Sequence, residues 1–135
     1  MDATLVKVVV AGVLGAHGLG HVLGWMPAAG LARFEGVSSG SWLVTGLAGD
    51  GGARILAVGL FAIPTCGFVM AAAGLLLGQP WWRSVAVGSA AVSLAAIALY
   101  PHALPFGSTI GAVLVNGLVL YGVLVADWGA SAAGA

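Results

Sequence analysis

The chain has 135 residues, 61% of them hydrophobic and only 6% charged, with four basic side chains balancing four acidic ones. Soluble domains carry roughly a quarter charged residues, so this composition excludes a water-soluble fold, and a mean hydropathy of +1.11 marks a membrane protein. A net charge of zero gives no positive field for nucleic acid, and the single Cys66 forms no intramolecular disulfide.

Polar and proline-containing breaks leave four apolar segments, at 5–26, 53–78, 81–100 and 108–126. Each is near the ~20 residues needed to cross a hydrocarbon core of about 30 Å. A lone apolar segment of that length spans only as a helix, because it must satisfy its own backbone polar groups. The expected fold is all-α: one integral membrane domain over 1–135, an antiparallel four-helix bundle with both termini on one side. The first run exceeds the roughly 7 to 15 apolar residues of a signal peptide and is read as a retained helix. Trp25, Trp81, Trp82, Tyr100 and Trp128 stand near segment ends, where amphipathic rings settle at headgroup level.

The first segment ends in AHGLGHVLGWMP, which holds two of the three histidines, His17 and His21. Four residues apart, they share one helix face, as the zinc ligands of HExxH do, but Gly18-Leu19 replaces that motif's glutamate, so a metalloprotease is excluded. His21 lies six residues before Pro27, roughly 9 Å deep at 1.5 Å per residue. The far side of the membrane, opposite the termini, also receives His102, Glu35 and Asp50. A zinc or copper site built on the pair takes its third ligand from these. Haem needs axial ligands from opposite faces, so one histidine would pair with His102, Met70 or Met26. A chlorophyll-type pigment needs one ligand only. The alternative is that both imidazoles are neutral and hydrogen-bond across helices.

Gly12, Ala16, Gly20 and Gly24 recur at four-residue spacing in the first segment; Gly67 with Ala71 and Gly74 with Gly78 in the second; Gly107 and Gly111 in the fourth. Small residues let helices approach closely in lipid, and packing inside the bundle is the expected use. Residues 27–52, rich in Gly and Ser around Trp42-Leu43-Val44, form the one sizeable extramembrane segment and are either a linker or a cap over the bundle. Pro64 is expected to kink the second helix, with Thr65 and Cys66 beside the break. Ser89 and Ser93 line one face of the third helix, and Asn116 in the fourth should face protein and make an interhelical hydrogen bond. Gly129 to Ala135 read as a frayed tail.

HGLGHVLGW, the loop with SWL, PWWR at Pro80 to Arg83 and Asn116 together resemble a group of small, uncharacterised four-helix bacterial membrane proteins. The layout of one long loop and three tightly connected helices is also similar to DoxX-like proteins. The resemblance implies the architecture and a bacterial inner membrane. Lys7 and Arg83 on the terminal side balance Arg33 and Arg54 on the other, and the acidic company of the latter favours cytoplasmic termini.

No paired intramembrane carboxylates and no activated nucleophile are present, which argues against an independent enzyme. The leading expectation is an accessory or structural subunit, in contact with lipid and associating laterally with other membrane proteins or with itself. Such a subunit predicts small-residue faces turned outward. A metal-, haem- or pigment-binding protein is the second reading, and an oligomeric channel or transporter with Pro64 and Asn116 near its path is the third.

Overall fold

The structure, a computed structural model, describes residues 2–128, so the tail expected from residue 129 onward lies outside the described residues. Five helices follow in order: α1 (Ala3–Gly20), α2 (Val22–Ala28), α3 (Val44–Leu76), α4 (Trp82–Leu99) and α5 (Phe106–Leu124). With α1 and α2 taken as one span, four helical units are long and apolar enough to cross a membrane. The chain is a multi-pass integral membrane protein, an all-α four-helix bundle. Its large exposed side chains, such as Leu5, Val9, Ile55, Leu114 and Leu118, are the surface that lipid covers.

The hydrogen-bond ladder of the first span is interrupted at His21, where a single helix was expected, although His21 keeps right-handed helical torsions (φ −69°, ψ −13°). Its ring Nδ1 binds the carbonyl of His17 at 2.9 Å, the acceptor that its own backbone N–H would use in an unbroken helix. The His21 N–H turns instead to the carbonyl of Gly18 at 3.1 Å. The buried stripe of this span is Ala11, Leu14, Gly18, His21, Gly24 and Ala28, a three-and-four spacing that packs on α3. A Cβ on Gly18 would come 2.9 Å from the Cβ of Phe68, and one on Gly24 would come 2.6 Å from the Phe61 ring. These two glycines set how closely α1 and α2 approach α3.

α3 starts nine residues before the expected Ala53, but its torsions break at Gly49 (φ 69°, ψ 177°), a left-handed φ that suits glycine. At Pro64, where a kink was expected, the torsions remain helical. The proline deprives the Leu60 carbonyl of its amide donor, and the neighbouring Thr65 hydroxyl donates to Phe61 at 2.8 Å. Past the end of α3, Gly78 (φ 68°) closes the turn, and the Gln79 N–H reaches back to the Gly74 carbonyl at 2.8 Å.

α3 packs along both α1 and α4, and α4 packs on α5, but α1 meets α5 only sparsely. The bundle is therefore open along one seam. Between α3 and α4, Gly67 accommodates the Ser89 hydroxyl and Gly74 the ring of Trp81 and the Cβ of Trp82. Trp82 and Tyr100, at the two ends of α4, are buried against protein, and the Tyr100 hydroxyl donates to the Ala53 carbonyl at 2.8 Å.

The segment after α2 caps the bundle. The Ser41 hydroxyl donates to the Leu99 carbonyl and the Trp42 indole N–H to that of Ala98, both at 2.8 Å. Orphan carbonyls at the C-terminus of α4 are thereby satisfied. At the opposite end Arg83 serves α5 in the same way, bonding the Val123 carbonyl at 3.1 Å and pairing with Asp127.

Candidate functional site: a closed polar ring inside the bundle

α1 carries His17, its junction with α2 carries His21, α4 carries Ser93 and α5 carries Asn116, and their polar atoms meet where these elements converge. His17 Nε2 lies 2.9 Å from Asn116 Oδ1, Asn116 Nδ2 is 2.7 Å from Ser93 Oγ, and Ser93 Oγ is 2.6 Å from His21 Nε2. The bond from His21 Nδ1 to the His17 carbonyl closes the loop. His21, Ser93 and Asn116 are each 1% exposed or less. Phe61 and Phe68 floor the site, with the Phe68 ring centroid 4.7 Å from that of His17.

Every donor in the ring follows from chemistry. The His17 carbonyl only accepts, so His21 Nδ1 carries a proton, and a neutral His21 accepts at Nε2. The Ser93 hydroxyl therefore donates to His21 and accepts from the Asn116 amide, whose Oδ1 accepts from His17 Nε2. The four bonds run head to tail in one direction. Reversing the Asn116 amide would have Ser93 donate to Asn116 and would force His21 to donate from both nitrogens, an imidazolium in an apolar interior. The drawn arrangement needs no charge.

Three of the four imidazole nitrogens are thus engaged. The fourth, His17 Nδ1, has no partner among the described residues and is an acceptor. His17 and His21 line a cleft of about 150 Å³ between α1 and α5, together with Ala16, Gly20, Ser108 and Ala112. Farther along the same two helices runs a groove of about 380 Å³ walled by Val9, Val13, Val115 and Leu118, with Trp128 at its end.

This donor set leaves one imidazole nitrogen, His17 Nδ1, for any ligand. No three His, Cys, Asp or Glu side chains come together in a metal-holding group among the described residues. The expected convergence of His102, Glu35 and Asp50 on the pair is not formed. His102 contributes its backbone carbonyl to Ser38 at 2.8 Å, Glu35 and Asp50 are exposed, and Met70 and Cys66 are exposed on α3. His21 has no lone pair free, since Nδ1 donates to the His17 carbonyl and Nε2 accepts from Ser93. The cleft is also well below the roughly 300 Å³ at which ligand pockets of ordinary size begin. Asn116, placed near a permeation path in the channel reading, spends its amide on protein partners.

The small-residue rows divide. Gly24 packs internally, as expected, but a Cβ on Gly12, Gly20, Gly107 or Gly111 would meet nothing within 4 Å, and Ala16 is exposed. Ala16 and Gly20 border the cleft, and the row of Gly107 and Gly111 continues one turn on into Val115, which borders the groove. Gly18, the glycine that does pack on Phe68, belongs to the other face of α1. Its signal was its place one residue after His17 and three before His21, on the face that His21 itself buries. No family model, curated protein or solved structure matches this chain.

Proposed function

We propose that the chain is an accessory or structural subunit of a bacterial inner membrane, with cytoplasmic termini, that associates laterally with other membrane proteins through the open seam between α1 and α5. The observation that carries this reading is the outward placement of Gly12 and Gly20 on α1 and of Gly107 and Gly111 on α5, the two helices that flank the seam, with Gly20 bordering the cleft itself. Glycine in an exposed helix interior costs about 0.5–1 kcal/mol relative to alanine, a cost offset when a neighbouring backbone packs against it. The internal packing of this bundle offsets none of it at these four positions. Lipid chains have no need of such rows.

The histidine ring supports the same reading, because it serves the fold. It ties α1 to α4 and α5 and holds α1 near α5 where the two barely touch. An entering helix would meet His17 Nδ1, an acceptor, so a hydroxyl or amide donor on that helix would complete the site.

Blue native electrophoresis of membranes from the source cell, solubilised in mild detergent, tests the proposal. The wild-type chain should migrate in an assembly larger than the protomer. Gly12→Leu and Gly111→Leu should release it while its melting in detergent stays unchanged. Migration of the wild type as a free protomer, under conditions that keep other complexes intact, would overturn the reading.

A further inference from the structure

Away from the seam, α2 and α3 frame a second site. Beyond the break at Gly49, α3 runs on to Leu76, about 40 Å at 1.5 Å per residue, against a hydrocarbon core of about 30 Å. Counted back from Leu76, the core is used up after about twenty residues, which sets Arg54 at headgroup level. Its neighbours agree. Arg54 Nε donates to the Ala28 carbonyl at the end of α2, 3.0 Å away, and Ala53 receives the Tyr100 hydroxyl at the end of α4.

That bond to Ala28 pins one edge of the guanidinium. The backbone also passes close by at Gly30 (φ 78°), where a Cβ would come 3.2 Å from Nη2. Arg54 remains unpaired: among the described residues the one salt bridge is Arg83 with Asp127, and neither Glu35 nor Asp50 reaches Arg54. The guanidinium stands at a groove of about 360 Å³ whose other walls are Ala28, Ala29, Gly51, Ile55 and Val58. Ile55 is 76% exposed, and Val58 continues the apolar wall one turn toward the core.

A fixed cation at headgroup level above an apolar channel is complementary to one class of molecule. We propose that this groove binds an anionic phospholipid, with its phosphodiester accepting hydrogen bonds from the Nη groups of Arg54 and one acyl chain lying against Ile55 and Val58. Guanidinium presents paired donors that match two phosphate oxygens. With no carboxylate to neutralise it, a net anionic head is favoured over a zwitterionic one, whose own cation would have to be placed beside it. This site is independent of the seam and of any partner there.

The test is lipid retention. The purified chain is equilibrated with equal amounts of phosphatidylglycerol and phosphatidylcholine bearing the same chains, partly delipidated, and weighed with bound lipid by native mass spectrometry. Wild type should keep one phosphatidylglycerol in preference to phosphatidylcholine, and Arg54→Gln should lower that preference about fivefold, the effect of one basic residue near an anionic surface. Gly51→Leu, whose added Cβ meets nothing within 4 Å, puts an isobutyl group into the groove beside Arg54 and should lower it likewise. Circular dichroism and melting of both variants check that the fold is kept. No preference in the wild type, or a preference unchanged in Arg54→Gln, would overturn the proposal. Displacement of the lipid by excess inorganic phosphate would overturn the lipid as ligand and assign the site to a free anion; persistence of the lipid supports it.

Discussion

Ser93 and Ser89 sit one turn apart on α4 and look interchangeable in the sequence, but their hydroxyls have different work. Ser93 donates to His21 and accepts from Asn116, while Ser89 only returns its proton to the Val85 carbonyl at 2.7 Å, within its own helix. Ser93→Ala leaves an acceptor on His21 and a donor on Asn116 unsatisfied in a buried site, and should cost about 1–2 kcal/mol. Ser89→Ala removes one back-bond and should stay within about 0.5 kcal/mol. Reversible unfolding of both variants in one detergent checks this, and equal losses would mean that the ring does not stabilise the bundle. The sequence made part of this site legible. Four-residue spacing put both histidines on one face, and an intramembrane Asn called for a protein partner, which it has. What the spacing did not contain was a direction for each ring. A His-x-x-x-His pair serves a metal or a hydrogen-bond ring equally well, and the choice depends on Ser93 and Asn116, 72 and 99 residues away along the chain from their respective histidine partners.

At the level of helices, the glycines separate into two physical kinds that the sequence alone mixes. Gly24 lies under Phe61, so Gly24→Ala forces a methyl group to 2.6 Å from the ring and should destabilise by about 1–3 kcal/mol. Gly12 faces open space, so Gly12→Ala should leave the isolated chain as stable or stabilise it by up to about 1 kcal/mol through helix propensity. The two substitutions are chemically identical and opposite in expected sign, so a comparison of their melting temperatures separates packing from propensity. Destabilisation by both would mean that the Gly12 face is covered within the chain. The strict Gly12, Ala16, Gly20, Gly24 repeat suggested one packing row, but an ideal helix advances 3.6 residues per turn, and a strict four-residue row drifts around the axis. It begins at an outward face at Gly12 and arrives at the core only at Gly24. The row that stays on the core alternates threes and fours, through Leu14, Gly18 and His21, and includes leucine and histidine, which no search for small residues selects. Helix ends were misplaced for a related reason. Hydropathy reports where lipid is, whereas α3 continues beyond the membrane to Val44, where Ser41 and Trp42 anchor its entry against the end of α4.

Four spans in one chain require that both ends of the bundle emerge on the same side, and this is testable without any knowledge of partner or ligand. Asp2 precedes α1, Asp127 follows α5, and Glu35 lies between α2 and α3, at the opposite end. The positive charges alone do not choose which side is inside, because Lys7 and Arg83 are matched by Arg33 and Arg54, and Arg83 is further neutralised by Asp127. Topology therefore rests on how the α3–α4 and α4–α5 connections, too short to hold another span, force antiparallel neighbours. With Cys66 replaced by alanine, single cysteines at Asp2, Asp127 and Glu35 should react with a membrane-impermeant maleimide in two classes. Asp2→Cys and Asp127→Cys share one accessibility, and Glu35→Cys has the other. In intact inner-membrane spheroplasts, cytoplasmic termini require that only Glu35→Cys is labelled, and that inverted vesicles exchange the pattern. Labelling of Asp2→Cys and Asp127→Cys in spheroplasts, with Glu35→Cys protected, would keep the four-span bundle and reverse its orientation, placing Arg54 in the inner leaflet. Different accessibility of Asp2→Cys and Asp127→Cys would remove one span and with it the convergence of α1, α4 and α5 on which the histidine ring depends.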